Sequence, residues 1–167
     1  MTSVHSNRVV PGPSQESVWD YPRPPRIEPV RELVVIRFGG REIARTENAV
    51  RVLETSHPPA YYLPSDAFLP GTLVPAPGRS VCEYKGTAAY LTVVSGGAQS
   101  VGAAWTYPEP EPGFEELADR ISLYPGRMDR CTIDGEVVRP QAGSFYGGWI
   151  TSRVVGPFKG EPGTLGW

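Results

Sequence analysis

Two cysteines and two histidines are all that this 167-residue chain offers for soft-metal or nucleophilic chemistry. Cys82 and Cys131 each lack a neighbouring Cys or His, whereas a structural zinc site needs such a cluster. Thiols this sparse fit a reduced, cytosolic protein better than a disulfide scaffold, although the spacing leaves a bond between the two open. A basic stripe is also missing. The net charge is −2 with a pI near 5.7, which argues against nucleic acid as a partner. The most polarised stretch, 109–119, is acidic. The longest wholly apolar run near a strand is 33–36, against about 20 residues for a membrane span, so no membrane partner is expected. No apolar leader follows Met1, and the expected location is the cytoplasm. Neither a G-x-x-x-x-G-K loop nor an Asp-x-Asp pair occurs. Phosphate cradles and two-metal sites rest on such motifs, and no metal or cofactor is expected.

Glycine and proline are abundant, at 19 each, beside 40% hydrophobic and 10% aromatic residues. Many short apolar runs punctuated by Gly and Pro predict an all-β fold of two packed antiparallel sheets. Residues 1–30 carry six prolines and read as an extended arm, disordered over about the first ten, with Trp19 and Tyr21 able to pin it to the domain. Residues 31–140 read as the core domain. Strands are predicted over 33–38, 42–46, 49–55, 61–63, 81–84, 88–94, 101–107, 121–124, 128–133 and 136–138. Gly39-Gly40, Gly96-Gly97 and Asp134-Gly135 supply hairpin turns. Ser65 is placed to cap a turn containing Asp66. Residues 70–79 read as a Pro/Gly loop and 114–118 as a short helix. From 141 to 167 the chain is rich in Gly, Pro and aromatics and reads as an ordered wrapping tail.

Three segments resemble a known family in order along the chain. They are Val50-Arg51-Val52-Leu53-Glu54-Thr55 followed by Tyr61-Tyr62-Leu63-Pro64 and Asp66; Cys82-Glu83-Tyr84-Lys85-Gly86-Thr87-Ala88-Ala89-Tyr90; and Ala104-Trp105-Thr106-Tyr107-Pro108. The chain is identified as a member of the family filed as domain of unknown function 427, also labelled nucleotidyltransferase-like. The resemblance covers roughly 33–138, and the segment 146–167 looks like an extension of actinobacterial members. It implies a β-tent-like fold of two antiparallel sheets meeting at an angle. Some relatives of that architecture carry zinc ribbons, whose Cys-x-x-Cys pair is absent here.

Several residues stand out as candidates for chemistry. Tyr61, Tyr62 and Asp66 would orient a polar ligand through phenols and a carboxylate; the plainer alternative is core packing and a capped turn. Lys85, between two strands and beside Gly86, suits a site rim and an anionic ligand. Facing Cys82, it would also activate the thiol. Continuous strand alternation would put these two on opposite faces, so their meeting requires a bulge or a turn, which Gly86 permits. Trp105 and Tyr107, two apart, share a strand face and could wall a planar ligand. Arg51 is a further anion contact if it faces inward. Glu54, in phase with Val50 and Val52, is expected to be partly buried and paired. His57 is the available acid/base, since His5 falls in the arm. The leading expectation is a small-ligand-binding domain with a pocket lined by Arg51, Tyr61, Tyr62, Asp66, Lys85, Trp105 and Tyr107. A second reading is an enzyme using the same pocket, with Cys82 or His57 as nucleophile or base and Lys85 as electrostatic stabiliser. Whether any reaction is catalysed stays open. A third is an interaction module in which the aromatic arm and tail dock a partner or a second copy of the chain.

Overall fold

The computed structural model describes residues 8–143, 145–164 and 166–167. The disordered stretch expected near the N-terminus, with His5, falls largely outside them. Fifteen strands follow in order: β1 (Glu16–Ser17), β2 (Arg26–Val30), β3 (Val34–Phe38), β4 (Arg41–Thr46), β5 (Ala49–Leu53), β6 (Ala60–Pro64), β7 (Leu73–Cys82), β8 (Gly86–Ser95), β9 (Ala98–Thr106), β10 (Arg120–Leu123), β11 (Arg130–Ile133), β12 (Glu136–Val137), β13 (Arg139–Pro140), β14 (Trp149–Ile150) and β15 (Val154–Val155). The described helical residues are isolated 3-10 turns, and no described helix is long and apolar enough to cross a membrane.

The fold is all-β. A seven-stranded antiparallel sheet runs β2-β5-β6-β10-β9-β8-β7, and a four-stranded one runs β12-β11-β3-β4. Their facing sides share one core, with Val34, Ile36 and Ile43 from the smaller sheet against Leu63, Val93, Ala103 and Leu123 from the larger. Asp134 and Gly135 both take positive φ, at 47° and 82°, so β11 and β12 are joined by the type I′ turn that the Asp-Gly pair predicts.

Three local expectations are corrected. The expected loop over 70–79 is confined to the turn at 70–72, because from Leu73 onward β7 runs through Pro75, Pro77 and Gly78 as an outermost strand, where prolines need not donate to a ladder. The irregularity that they impose is a register shift between Pro75 and Arg79. The helix over 114–118 reduces to a 3-10 turn at Glu115–Leu117. The turn Ser65–Ala67 is present, but its N-cap position is Pro64 and no side chain caps it.

β5 is buried along its whole length. Alternation sends Val50 and Val52 to one face and Arg51 and Leu53 to the other. The Arg51 side chain is only 1% exposed, which an unpaired guanidinium could not tolerate. Its Nε and Nη2 donate to Glu28 Oε1 at 3.0 and 2.6 Å, and its Nη1 donates to Glu16 Oε1. Glu28 is the register partner of Arg51 across β2 and β5, so the pairing follows from the ladder. Glu16 sits on β1 and also accepts from the Tyr21 hydroxyl at 2.8 Å. Burial raises the Glu16 carboxyl, but the hydrogen bonds from Arg51 and Tyr21 outweigh it and its pKa is lowered. β1 pairs in parallel with β15, and Trp19 Nε1 donates to the Pro157 carbonyl at 2.9 Å. Arm and tail are thereby tied to each other and to the sheet.

Removing both carboxylates strands a buried cation, whereas removing the cation leaves carboxylates that still reach water, being one-third exposed. The double variant Glu16→Gln, Glu28→Gln is therefore expected to lose about 3–5 kcal/mol in urea unfolding. Arg51→Met should lose less. Equal losses would show that the charge of Arg51 is not what the cluster compensates.

Candidate functional site

The other face of the seven-stranded sheet carries a solvent-open cavity of about 340 Å³. Its floor follows from strand alternation. Val52 on β5, Ala60 and Tyr62 on β6, Trp105 on β9, and Ala88 and Tyr90 on β8 all face it. Register brings Val50 opposite Tyr62 and Tyr90 opposite Trp105. Tyr107, just beyond β9, and Tyr124, just beyond β10, extend the aromatic surface. Six of the eight tyrosines, Tyr62, Tyr84, Tyr90, Tyr107, Tyr124 and Tyr146, line this one space.

Of the residues singled out in the sequence, Tyr62, Cys82, Lys85, Trp105, Tyr107 and His57 meet at the cavity. Arg51 and Tyr61 do not. They are register partners on the opposite face of β5 and β6, where Arg51 is engaged by Glu16 and Glu28 and Tyr61 packs on Trp149 with ring centroids 5.1 Å apart. Adjacent tyrosines on one strand point to opposite faces, so only Tyr62 reaches the site. Asp66 is exposed in the 3-10 turn after β6, away from the lining. Glu54 is at the cavity and is paired with Arg23 at 3.3 Å.

Cys82 ends β7 and Lys85 directly precedes β8, and the turn between them brings both residues to the cavity, where Cys82 helps to keep Lys85 charged. The Lys85 ammonium lies over the Tyr107 ring, 5.8 Å from its centroid. Burial pulls its pKa down. Tyr62, Cys82 and Glu54 pull harder in the other direction, and the net shift is upward, so the charge is kept. The Tyr62 hydroxyl accepts from Trp105 Nε1 at 3.1 Å, which leaves its own proton to donate. Burial raises the pKa of Tyr62 and Tyr107, and that of Tyr124 is pushed up to about 12, so these phenols are hydrogen-bond donors at neutral pH.

The remaining wall comes from the C-terminal segment. Gly147 lies so close to Trp105 that a β-carbon there would sit 2.1 Å from its ring, and one at Gly148 would sit 2.5 Å from Pro58. Only glycines let the strap approach this closely. Gln141 holds the strap in place, its Oε1 accepting from Gly148 N at 3.0 Å and its Nε2 donating to the Lys159 carbonyl at 2.6 Å. Tyr146 meets the His57 ring edge-on at 5.5 Å. Sequence reading missed Tyr90, Tyr124 and this strap. Tyr90 was within reach, two residues from Ala88 on one strand face, but no local pattern shows that residues 145–148 return to Trp105.

His57 Nδ1 lies 3.0 Å from the Thr55 carbonyl. Donation to that carbonyl fixes the neutral tautomer and leaves Nε2 with its lone pair. Burial lowers the imidazole pKa from 6.5, helped by Arg23 and Lys85 and opposed by Glu54 and the Thr55 carbonyl. The unfolded chain then binds the proton first as pH falls. The stability tied to a neutral His57 is present above about pH 6.5 and is lost as pH falls through the folded pKa. His57→Gln is expected to flatten the decline of melting temperature just below pH 6.5. The later decline around and below pH 4.5, where Glu16 protonates, should remain. An unchanged profile in this variant would show that the imidazole is not held neutral.

None of the curated proteins compared with the chain matches it. A family model described as a domain of unknown function (DUF427) matches residues 26–134. That span contains Tyr62, Cys82, Lys85, Trp105, Tyr107 and His57, whereas the strap at 145–148 lies outside it. With most of its length matched, the chain belongs to the DUF427 family.

Proposed function

We propose that this chain is a small-ligand-binding β domain whose cavity takes a planar, polar or anionic molecule. The observation that carries the reading is Lys85. It is a half-buried ammonium at the cavity, and among the described residues no carboxylate lies within ion-pair distance of it. Its surroundings keep it charged without occupying it in an ion pair, so the ammonium is free to take an anionic group on a ligand. The surrounding rings offer flat apolar area for a planar body, and the cavity volume lies at the lower end of the range for small-molecule sites. Both cysteines are free, which suits a reducing compartment, and we read the location as cytoplasmic.

The test is a thermal-shift screen of the full-length protein against a metabolite library. A ligand at 100 times its Kd adds about 2.7 kcal/mol, or several degrees for a domain of this size. Hits are expected, and Lys85→Ala and Trp105→Ala should each abolish them. A blank library, or hits that neither substitution touches, would remove the reading.

A second reading, an enzyme using this cavity, is favoured by one observation. The thiol of Cys82 and the ammonium of Lys85 line the same cavity as a histidine whose Nε2 is unprotonated. These are the parts of an activated nucleophile. Cys131 is an internal control, since it is buried in the core and burial alone pushes its thiol pKa up. Iodoacetamide should label Cys82 and spare Cys131 in the native protein, and Lys85→Ala should slow that labelling near neutral pH. Labelling of Cys82 only after unfolding would sink the thiol version. The interaction reading has less aromatic surface to draw on, because Trp19, Tyr21 and Trp149 are buried against their own domain, leaving Phe145 as the most exposed ring of arm and tail.

A further inference from the structure

We propose that the ligand of this cavity is an aromatic or heteroaromatic ring bearing a single negative charge as a carboxylate, and not a nucleotide; this rests on the cavity being the ligand site. The argument is one of charge matching. Lys85 is the only lysine or arginine among the described lining residues. Glu54 and Glu83 also line the cavity, Glu54 already held by Arg23, and His57 is kept neutral by burial. The site therefore presents one positive charge beside carboxylates. A phosphate monoester brings about −1.5 to −2, and a di- or triphosphate more. One ammonium leaves most of that charge uncompensated and facing Glu54 and Glu83. Phosphate sites commonly recruit a helix N-terminus or an arginine fork. The described residues include no α-helix, and none of the described lining residues is an arginine.

A carboxylate is matched both in charge and in donors. One oxygen can take the ammonium, and the phenol of Tyr62, which accepts from Trp105 and Tyr107 and keeps its own proton, can donate to the other. Trp105 and Tyr124, with ring centroids 4.8 Å apart, offer stacking area to an attached ring. An aliphatic acid would satisfy the ammonium and leave that aromatic area unused.

The experiment is calorimetric titration of the full-length protein, near neutral pH and physiological salt, with three probes: indole-3-carboxylate, its neutral isostere indole-3-carboxamide, and AMP. The carboxylate is expected to bind at least about tenfold more tightly than either of the others. In Lys85→Met the acid should lose its advantage over the amide, with an unchanged far-UV spectrum showing that the variant is folded. Trp105→Leu should weaken acid and amide alike. An amide equal to the acid overturns the inference, and so does AMP binding more tightly than the acid. Either of those outcomes, if sensitive to Trp105→Leu, leaves the cavity standing as a ligand site. No heat from any probe also overturns the ligand class, and the library screen then decides separately whether the cavity binds anything.

Discussion

A guanidinium with 1% of its side chain exposed cannot persist in a sheet without carboxylates brought to it, and Arg51 is such a group. One carboxylate arrives through the ladder, because Glu28 is opposite Arg51 across β2 and β5. The other, Glu16, arrives from a part of the chain that has no ladder contact with that sheet. Its strand β1 pairs with β15, so the demand of one buried charge orders the N-terminal arm and, through it, the C-terminal tail. The tail in turn carries the strap that walls the cavity. A charge on one face of β5 thus bears on the site formed on the other.

The same electrostatic rule sets Arg51 apart from Lys85. Arg51 and Lys85 are both cations drawn out of water. Arg51 has two carboxylates and is satisfied, and it has nothing left to offer a ligand. Lys85 has a ring face, a thiol and a phenol around it, and it feels the Glu54 carboxylate only from beyond ion-pair distance. Among the described residues no carboxylate forms an ion pair with it. Residue type does not distinguish the two positions; the presence of a partner does.

This is also where the sequence stops being legible. The hairpins, the β class and the aromatic cluster at Trp105 and Tyr107 follow from short-range signals: turn dipeptides, alternation and the spacing of two. The opposed directions of Tyr61 and Tyr62 were equally readable, yet alternation cannot say which face is inside, and both were assigned to the site. Arg51 reads as an anion contact in sequence because its partner Glu16 lies 35 residues away, where no local pattern sets the register of the arm against the sheet. The stretch 70–79 looked like a loop because Pro and Gly weaken a strand, but the outermost position of β7 removes that penalty. The strap is legible only in three dimensions, since the need for glycine at 147 and 148 arises from Trp105 and Pro58, which are remote in sequence.

The division of the cavity along the chain bears on how its chemistry is specified. The thiol, the ammonium, the imidazole and the floor of rings all lie within residues 26–134, the part that defines the family. Gln141, Phe145, Tyr146, Gly147 and Gly148 lie beyond it and contribute surface and closure without adding a charge. The ammonium of Lys85 is thereby placed by the sheet, whereas the shape of the cavity around it depends on a wall clamped through Gln141, Lys159 and Thr164. That wall rests on glycines in contact with Trp105 and Pro58, so even a methyl group added to it would move the aromatic floor. The charge and the shape of the cavity are consequently set by different stretches of the chain, and under the proposed ligand-binding reading substitutions in the strap should alter which rings fit without altering the sign of charge that Lys85 attracts.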